Sequence, residues 1–589
     1  MVRKKVEPGK PEITYEDGVP LMPSVYPVII LQGSDYDIGY QYSQQLIQIF
    51  GPWYIKKFQR GFTEEERTFL KATQWYVKEY TPEFIEQFKG MADGATDAGV
   101  EWSYEEVLAA HCRPPVLEVY PVYHALPPLF PGTEPAESQK IGMPPACGGF
   151  VAWGSATKDG KLIVASVGDG PSISFTLYWR VIVLPETGNN YIYAPLGIAN
   201  YGCHPGMNNK GLVYAHHGDG VGGNEKPGLG IGERLMTQHA LRFANNAKEA
   251  LDMELAYPYG FRPAGLWAGL WADVSGDAFD LECRDPLAVR RAGDHGEKDF
   301  LYGYNTNFTK SLLPFLRSLV GEDYECFLGW PVHYFEHGGF NMDDMNSVRR
   351  CLFAWNMLHN YHGKVDPEFA KMMYRMPAPP PDYPTLEEAE IGIQENYGAG
   401  WNSYIGSLSN GAVAVMLPDD GDNGLYYAAS AGTVGRQAQP LTKGDYFFHI
   451  APTNTYYQLK LASNTTDIVM AARQRSQYDL YAAHNELRKL TYADCAYAPL
   501  DEIFNKAATE SQKGDYYFEL ARGTKGNESL YNDAKALRAF TRCQAYANQV
   551  YEALVPPADN PADLGLREWF GSWGQWESAK DALSGNPDP

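Results

Sequence analysis

Strand-forming and helix-forming patterns occupy separate blocks of this chain, and that segregation limits the possible folds more than any single motif does. From Cys147 to about Ile450, short apolar runs are broken at turn residues. The stretch GGFVAWGSATKDGKLIVAS turns at Lys158-Asp159-Gly160, LWADVSGDAFDLECR at Ser275-Gly276-Asp277, and AVAVMLPDDGDNGLYYAAS between Asp419 and Gly424. Each pairs a strand with its successor across a polar, glycine-bearing turn. Ahead of this block, from Tyr36 to Ala110, apolar residues recur at three- and four-residue spacing in YDIGYQYSQQLIQIF and EFIEQFKGMADGATDAG, which predicts helices. Beyond Thr466 the helical period returns in YDLYAAHNELRKL and NDAKALRAFTRCQAYANQVYEAL. Within the strand block, ERLMTQHALRFANNAKEALDMEL is also helical. Strands and helices gathered into blocks predict an α+β layered architecture. A proline-rich connector from Leu126 to Pro145 precedes the strand block, and APPPDYP (Ala378 to Pro384) reads as an excursion between layers. The expected division is 1–146, 147–450 and a mostly helical 451–589.

Composition narrows the function. The 589 residues carry a formal net charge of −23, which repels a phosphate backbone and an anionic membrane surface alike. Nucleic acid and membrane are therefore not expected partners. No run approaches the ~20 apolar residues of a membrane span. The N-terminal MVRKKVEPGKPEITYEDG lacks the apolar core of a signal peptide, so a cytoplasmic location is expected. Eight scattered cysteines without a CxxC pair read as buried thiols, not as a disulfide framework or a zinc site.

Several motifs fail on context. Gly218-Asp-Gly-Val-Gly-Gly223 matches GxGxxG, but Asn-Glu-Lys-Pro follows where a helix has to begin. Adjacent strand residues face opposite sides, so only one of His216 and His217 can join Asp219 in a metal site. Asp419, Asp420 and Asp422 form a solvated hairpin turn, with glycine at the third position of any calcium loop. No metal and no cofactor is expected.

Cys147 stands at the junction of the proline-rich connector and the first strand of the block. A lone cysteine there is ordinarily a small buried hydrophobe. A cut before it would place a free α-amine, of pKa near ~8, on the same residue as the thiol. One residue would then supply nucleophile and base together.

Five blocks in order over about residues 35 to 435 carry a family resemblance: YDIGYQYSQQL; FKGMADGA with YEEVLAAHCR; ACGGFVAWGSATKDGKLIVASVGD; GMNNKGLVYAHH; and LECRDPLAVRR with YGYNTNF. They resemble the autoproteolytic acyltransferase/hydrolase family that includes the isopenicillin N acyltransferase of penicillin biosynthesis, among the N-terminal-nucleophile hydrolases. The resemblance implies a four-layer αββα sandwich, here with a helical C-terminal extension that no block covers. It implies self-cleavage between Ala146 and Cys147, giving two chains retained as a heterodimer, with higher oligomers open. Cys147 matches the nucleophile, Asp169 the aspartate that orients the new α-amine, and Asn307 the amide that donates to the oxyanion.

The chain also departs from the family pattern. Ser166 stands where bile-salt-hydrolase-like relatives have an arginine, and acyltransferase members lack that contact too. Where relatives often have an asparagine the chain offers His217, expected to face the site, with His216 its replacement if the register slips by one. Gly148-Gly149 replaces a pair of hydroxyl residues and would allow close backbone approach to substrate. The implied activity is hydrolysis of a linear amide of a small N-acyl compound through a thioester on Cys147. An acyl-CoA-dependent N-acyltransferase of the same fold, and a noncatalytic ligand-binding protein with an inert Cys147, are the alternatives.

Overall fold

In a computed structural model of the chain, the residues described are 15–16, 19–20, 25–52, 55, 59–112, 147–168, 179–195, 202–217, 230–261, 268–282, 288–294, 296–304, 351, 354–355, 357–359, 361–375, 413–429, 455–492 and 498–555. Among the described residues, strands and helices build an α+β architecture around two large sheets. The strands used below are β1 (Val28–Gly33), β2 (Gly148–Ala152), β3 (Ile163–Val167), β4 (Arg180–Pro185), β5 (Tyr191–Pro195), β6 (Cys203–Asn208) and β7 (Leu212–His217). They continue with β8 (Ala268–Asp273), β9 (Ala278–Glu282), β10 (Ala288–Arg291), β11 (Phe300–Gly303), β12 (Ala414–Leu417), β13 (Leu425–Ala429) and β14 (Tyr456–Lys460). The first sheet runs β10-β9-β8-β7-β6-β5-β4-β1 and the second β11-β2-β3-β12-β13-β14. Neighbours are antiparallel except β1 and β4, which run parallel.

All three hairpins expected from turn residues are present: β2 with β3, β8 with β9, and β12 with β13. Side-chain alternation then sorts each strand between two environments. On the first sheet, Ile182, Ile192, Val213, Ala215 and Leu270 share a core with Val151, Val164, Leu301 and Met416 of the second. The alternate residues, among them Val181, Tyr193, Tyr214 and Trp271, pack instead against helices. On the other side of the second sheet, Phe150, Ala165 and Tyr302 meet Ala354, Leu358, Phe369 and Met373.

The helices against the first sheet are α1 (Asp35–Phe50), α2 (Glu64–Tyr80), α3 (Glu83–Asp97), α4 (Tyr104–Cys112), α5 (Glu233–Phe243) and α6 (Ala247–Ala256); α7 (Pro367–Arg375) lies against the second. α1 starts at a capping box, in which Ser34 caps the Asp37 N–H and the Asp37 carboxylate accepts from the Ser34 N–H. Glycines set its approach to α3: a Cβ at Gly39 would overlap the Gln87 backbone, and one at Gly90 or Gly94 the backbone of Tyr36 or Tyr40. The glycine pattern of the first two motif blocks is therefore a helix-contact pattern.

The C-terminal helices α8 (Thr465–Tyr492), α9 (Ala498–Gly523) and α10 (Gly526–Leu554) complete the core. Ile468, Val469, Leu530, Leu537 and Phe540 belong to the intersheet core. In α10, Arg538 donates to the Val28 carbonyl of β1 at 3.2 Å, and Gln544 accepts from the Gln458 N–H of β14 at 2.8 Å. One helix thus lies against one edge strand of each sheet, a position that hinders strand addition there. The expected boundary at 450 leaves β14 on its far side, although β14 pairs with β13 along its whole length. A five-residue strand, YYQLK, just ahead of a long helical signal carries too little pattern to be read ahead of the fold.

Candidate functional site

Cys147 immediately precedes β2, an interior strand of the second sheet, and is buried at 1% exposure. Its surroundings are not purely apolar. The Cys147 sulfur and one nitrogen each from His204 and His216 all lie within 4.8 Å of one another. These residues come from three places in the sequence. Tight turning at Asn209-Lys210-Gly211 folds β6 back onto β7, pairing Gly206 with Tyr214 and Met207 with Val213. Two residues further along the same register His204 stands across from His216, and their ring centroids are 4.2 Å apart.

Burial governs the electrostatics. Loss of solvent holds both imidazoles well below the ordinary histidine range, and the nearby Arg234 guanidinium pushes the same way on each. Both rings are therefore neutral at physiological pH. His216 Nδ1 lies 2.9 Å from the Tyr214 hydroxyl. Neither nitrogen of His204 has a hydrogen-bond partner among the described residues.

His217 has a different role. Strand alternation turns it toward the second sheet, where a Cβ on Gly303 would overlap its ring. Its Nε2 lies 2.8 Å from Asp280 Oδ1. Arg290 donates to the other Asp280 oxygen at 3.2 Å and also pairs with Glu297. Burial pushes the Asp280 carboxyl up, but His217 and Arg290 outweigh it and hold the group below the ordinary carboxylate range. The histidine expected to face the site is thus committed to a buried ion network, and its neighbour His216 joins Cys147. A one-residue change in register separates the two roles.

Gly148 and Gly149 are close-approach positions, but the approaching atoms are the protein's own. A Cβ on Gly148 would overlap the Tyr304 ring, and one on Gly149 would sit 2.6 Å from the Ala165 carbonyl oxygen and 3.2 Å from the Ala215 methyl. Ser166 faces Gly149 across the β2–β3 pair, and its hydroxyl is buried without a partner among the described residues. Ala146, Asp169 and Asn307 lie outside the described residues, as do the GxGxxG stretch and Asp219. His204 is the residue that sequence reasoning missed. Counting outward from the Asn209-Lys210-Gly211 turn would have found it opposite His216.

Asp419 and Asp420 are exposed and Asp422 half-buried in the β12–β13 turn, as a solvated hairpin requires. Among the described residues, no helix is long and apolar enough to cross a membrane.

No family model matches the chain. Over 243 residues the sequence is 26% identical to an uncharacterized protein of Archaeoglobus fulgidus, a match covering 38% of this chain and 38% of that protein. Among solved structures, penicillin V acylase from Agrobacterium tumefaciens is similar over 53% of this chain and 86% of its own, at 15% identity and a TM-score of 0.30. A mutant conjugated bile acid hydrolase from Clostridium perfringens is similar over 54% of this chain and 98% of its own, at 14% identity and a TM-score of 0.31.

Proposed function

We propose that this chain is a cysteine amidohydrolase of the N-terminal-nucleophile type, acting on a linear amide of a small N-acyl compound. The observation that carries the reading is the placement of Cys147, at the head of an interior strand with two neutral imidazoles beside its sulfur. An inert core thiol needs no such company. The ordered motif blocks of the sequence support the same reading. Two sheets sharing a core, with helices against their other faces, support a four-layer αββα sandwich with α8–α10 as the added helical part.

The reaction runs in two halves. The Cys147 thiol loses its proton to a base and the sulfur attacks the amide carbonyl carbon. Asn307 and a backbone N–H stabilise the oxyanion, a contact worth about 3 kcal/mol. The C–N bond breaks, the amine leaves with the proton, and a thioester remains on Cys147. Water then adds to the thioester carbonyl, the C–S bond breaks, and the carboxylic acid leaves as the thiol is regenerated. In the mature enzyme the base is the α-amine of Cys147, oriented by Asp169.

In maturation the same sulfur attacks the Ala146 carbonyl carbon, and the Ala146–Cys147 C–N bond breaks as the acyl group passes to sulfur. Water hydrolyses that thioester to free the Ala146 carboxylate and the Cys147 thiol. Before that cut the nitrogen of Cys147 is an amide and cannot act as a base. His204 and His216, neutral and within 4.8 Å, are the groups positioned to take the proton at this stage. The pieces 1–146 and 147–589 stay together after the cut. β1 is hydrogen-bonded into the first sheet, and α1 and α3 bury Ile38, Tyr42, Leu46, Phe84 and Phe88 against it.

Intact mass spectrometry under denaturing conditions tests the reading. Two chains divided at Cys147 are expected from the wild type and one uncut chain from Cys147→Ala. The matured protein should then release amine from a panel of N-acyl amino acids and N-acyl amines without added acyl-CoA. Amide turnover by a protein that remains in one piece would refute the proposal.

A further inference from the structure

We propose that Cys147, His204 and His216 together form a binding site for a thiophilic divalent cation of the zinc type, and that the bound ion blocks the thiol reversibly. The binding claim stands on the geometry alone. The blocking claim rests on the amidohydrolase reading above.

The donor set is one sulfur and two imidazole nitrogens, a combination that selects zinc-like ions over calcium or magnesium. With Zn–S near ~2.3 Å and Zn–N near ~2.0 Å, tetrahedral ligands stand about 3.3–3.6 Å apart. The three atoms here already lie within 4.8 Å of one another, so side-chain shifts of about 1.5 Å at most close the site around an ion. All three residues are buried. Two come from facing positions on β6 and β7 and one from the head of β2, so both sheets hold the site in place.

A second observation points to a ligand. His204 is fully buried, and neither of its ring nitrogens has a hydrogen-bond partner among the described residues. Buried imidazoles are ordinarily satisfied, and an unsatisfied one calls for an explanation such as a missing ion. His216 has the support expected of a metal ligand. Its Nδ1 is held by the Tyr214 hydroxyl at 2.9 Å, which leaves Nε2 as the nitrogen that ligates.

Binding releases the thiol proton to solvent as the sulfur–metal bond forms, while the imidazoles bind neutral. Three protein ligands leave a fourth position for water. A thiolate bound to the ion cannot attack a carbonyl carbon, so occupancy and thioester formation exclude each other.

Titration of the metal-free full-length protein with Co2+ tests the site. One ion per protein molecule is expected, with the visible bands of tetrahedral cobalt and a near-ultraviolet charge-transfer band from the thiolate, all displaced by Zn2+. Cys147→Ser should lose the charge-transfer band, and His204→Ala should bind at least about a hundredfold more weakly. Tyr214→Phe leaves all three ligands in place and should weaken binding about tenfold, as loss of an outer-shell partner does. Absence of a charge-transfer band at saturating Co2+, or equal affinity in wild type and His204→Ala, overturns the site. An amide assay on the same samples separates the two proposals. Zinc should abolish turnover and a chelator restore it. Full turnover by zinc-loaded protein overturns the blocking role. Cobalt binding with the charge-transfer band, by a protein that cleaves no amide when metal-free, upholds the site and refutes the amidohydrolase reading.

Discussion

Asp280 offers a quantitative test of how the site is held. It is fully buried on β9, between His217 of β7 at 2.8 Å and Arg290 of β10 at 3.2 Å. Asp280→Asn keeps the shape and removes the charge. His217 loses its ionic acceptor, and Arg290 loses one carboxylate partner while keeping Glu297. Breaking a buried pair from one side costs about 3–5 kcal/mol. With a urea slope of about 3 kcal/mol per molar, the unfolding midpoint should fall by about 1–1.7 M.

The pH dependence follows from the direction of the Asp280 shift. Its folded pKa is depressed, so its contribution is fully present above the unfolded value near ~3.9. It is lost as pH falls through the folded pKa. The stability gap between wild type and Asp280→Asn should therefore be constant from pH 7 down to about 5 and narrow below about 4. Urea melts followed by tryptophan fluorescence at several pH values measure it, with Trp271 on the adjoining strand β8 as one reporter. A gap under about 1 kcal/mol at pH 7, or one of unchanged size at pH 3, would refute the ion-network account.

Other consequences can be checked in the same way. Gly148→Ala puts a methyl into the Tyr304 ring and should cost about 1–3 kcal/mol or more, with Tyr304→Leu in the same chain recovering part of the loss in urea melts. Leu537→Ala in α10 empties a fully buried site of the intersheet core and should cost about 2–5 kcal/mol. If the C-terminal helices were an independent appendage, unfolding of the sheets would be unmoved by it. Exchanging His216 for Gln should slow the cut before Cys147 by at least tenfold on intact-mass time courses, whereas processing at the wild-type rate would remove the imidazole from that step.

The fold was legible where local chemistry decides it. Turn residues at Lys158-Asp159-Gly160 and Ser275-Gly276-Asp277, flanked by apolar runs, located β2, β3, β8 and β9, because a hairpin is specified by its own turn. The periodic stretches located α1 and α3 for the same local reason. What escaped depends on contacts distant in sequence. β14 is five residues long and is a strand because β13 and α10 flank it. The glycine pair after Cys147 suggested room for substrate, yet Tyr304 fills one position, and a residue so far along the chain gives no local signal.

The site shows the same division. Cys147 stood out because a connector meets a strand there, and this is visible in the local sequence. Choosing between His216 and His217 required the register of β7, and alternation alone leaves that open by one residue. Asp280 and Arg290, which hold His217, lie on two other strands, so its commitment to the ion network became evident only once the sheet was assembled. His204 was within reach, since it follows from counting across one hairpin.

The central claim is that the Cys147 sulfur carries the acyl group. Protein quenched in acid during turnover of an N-acyl substrate, then digested and mapped by mass spectrometry, tests this directly. The account predicts the acyl mass on a peptide whose first residue is Cys147, lost on treatment with hydroxylamine. Acylation of any other residue, or turnover with an unmodified Cys147 still joined to Ala146, would contradict it.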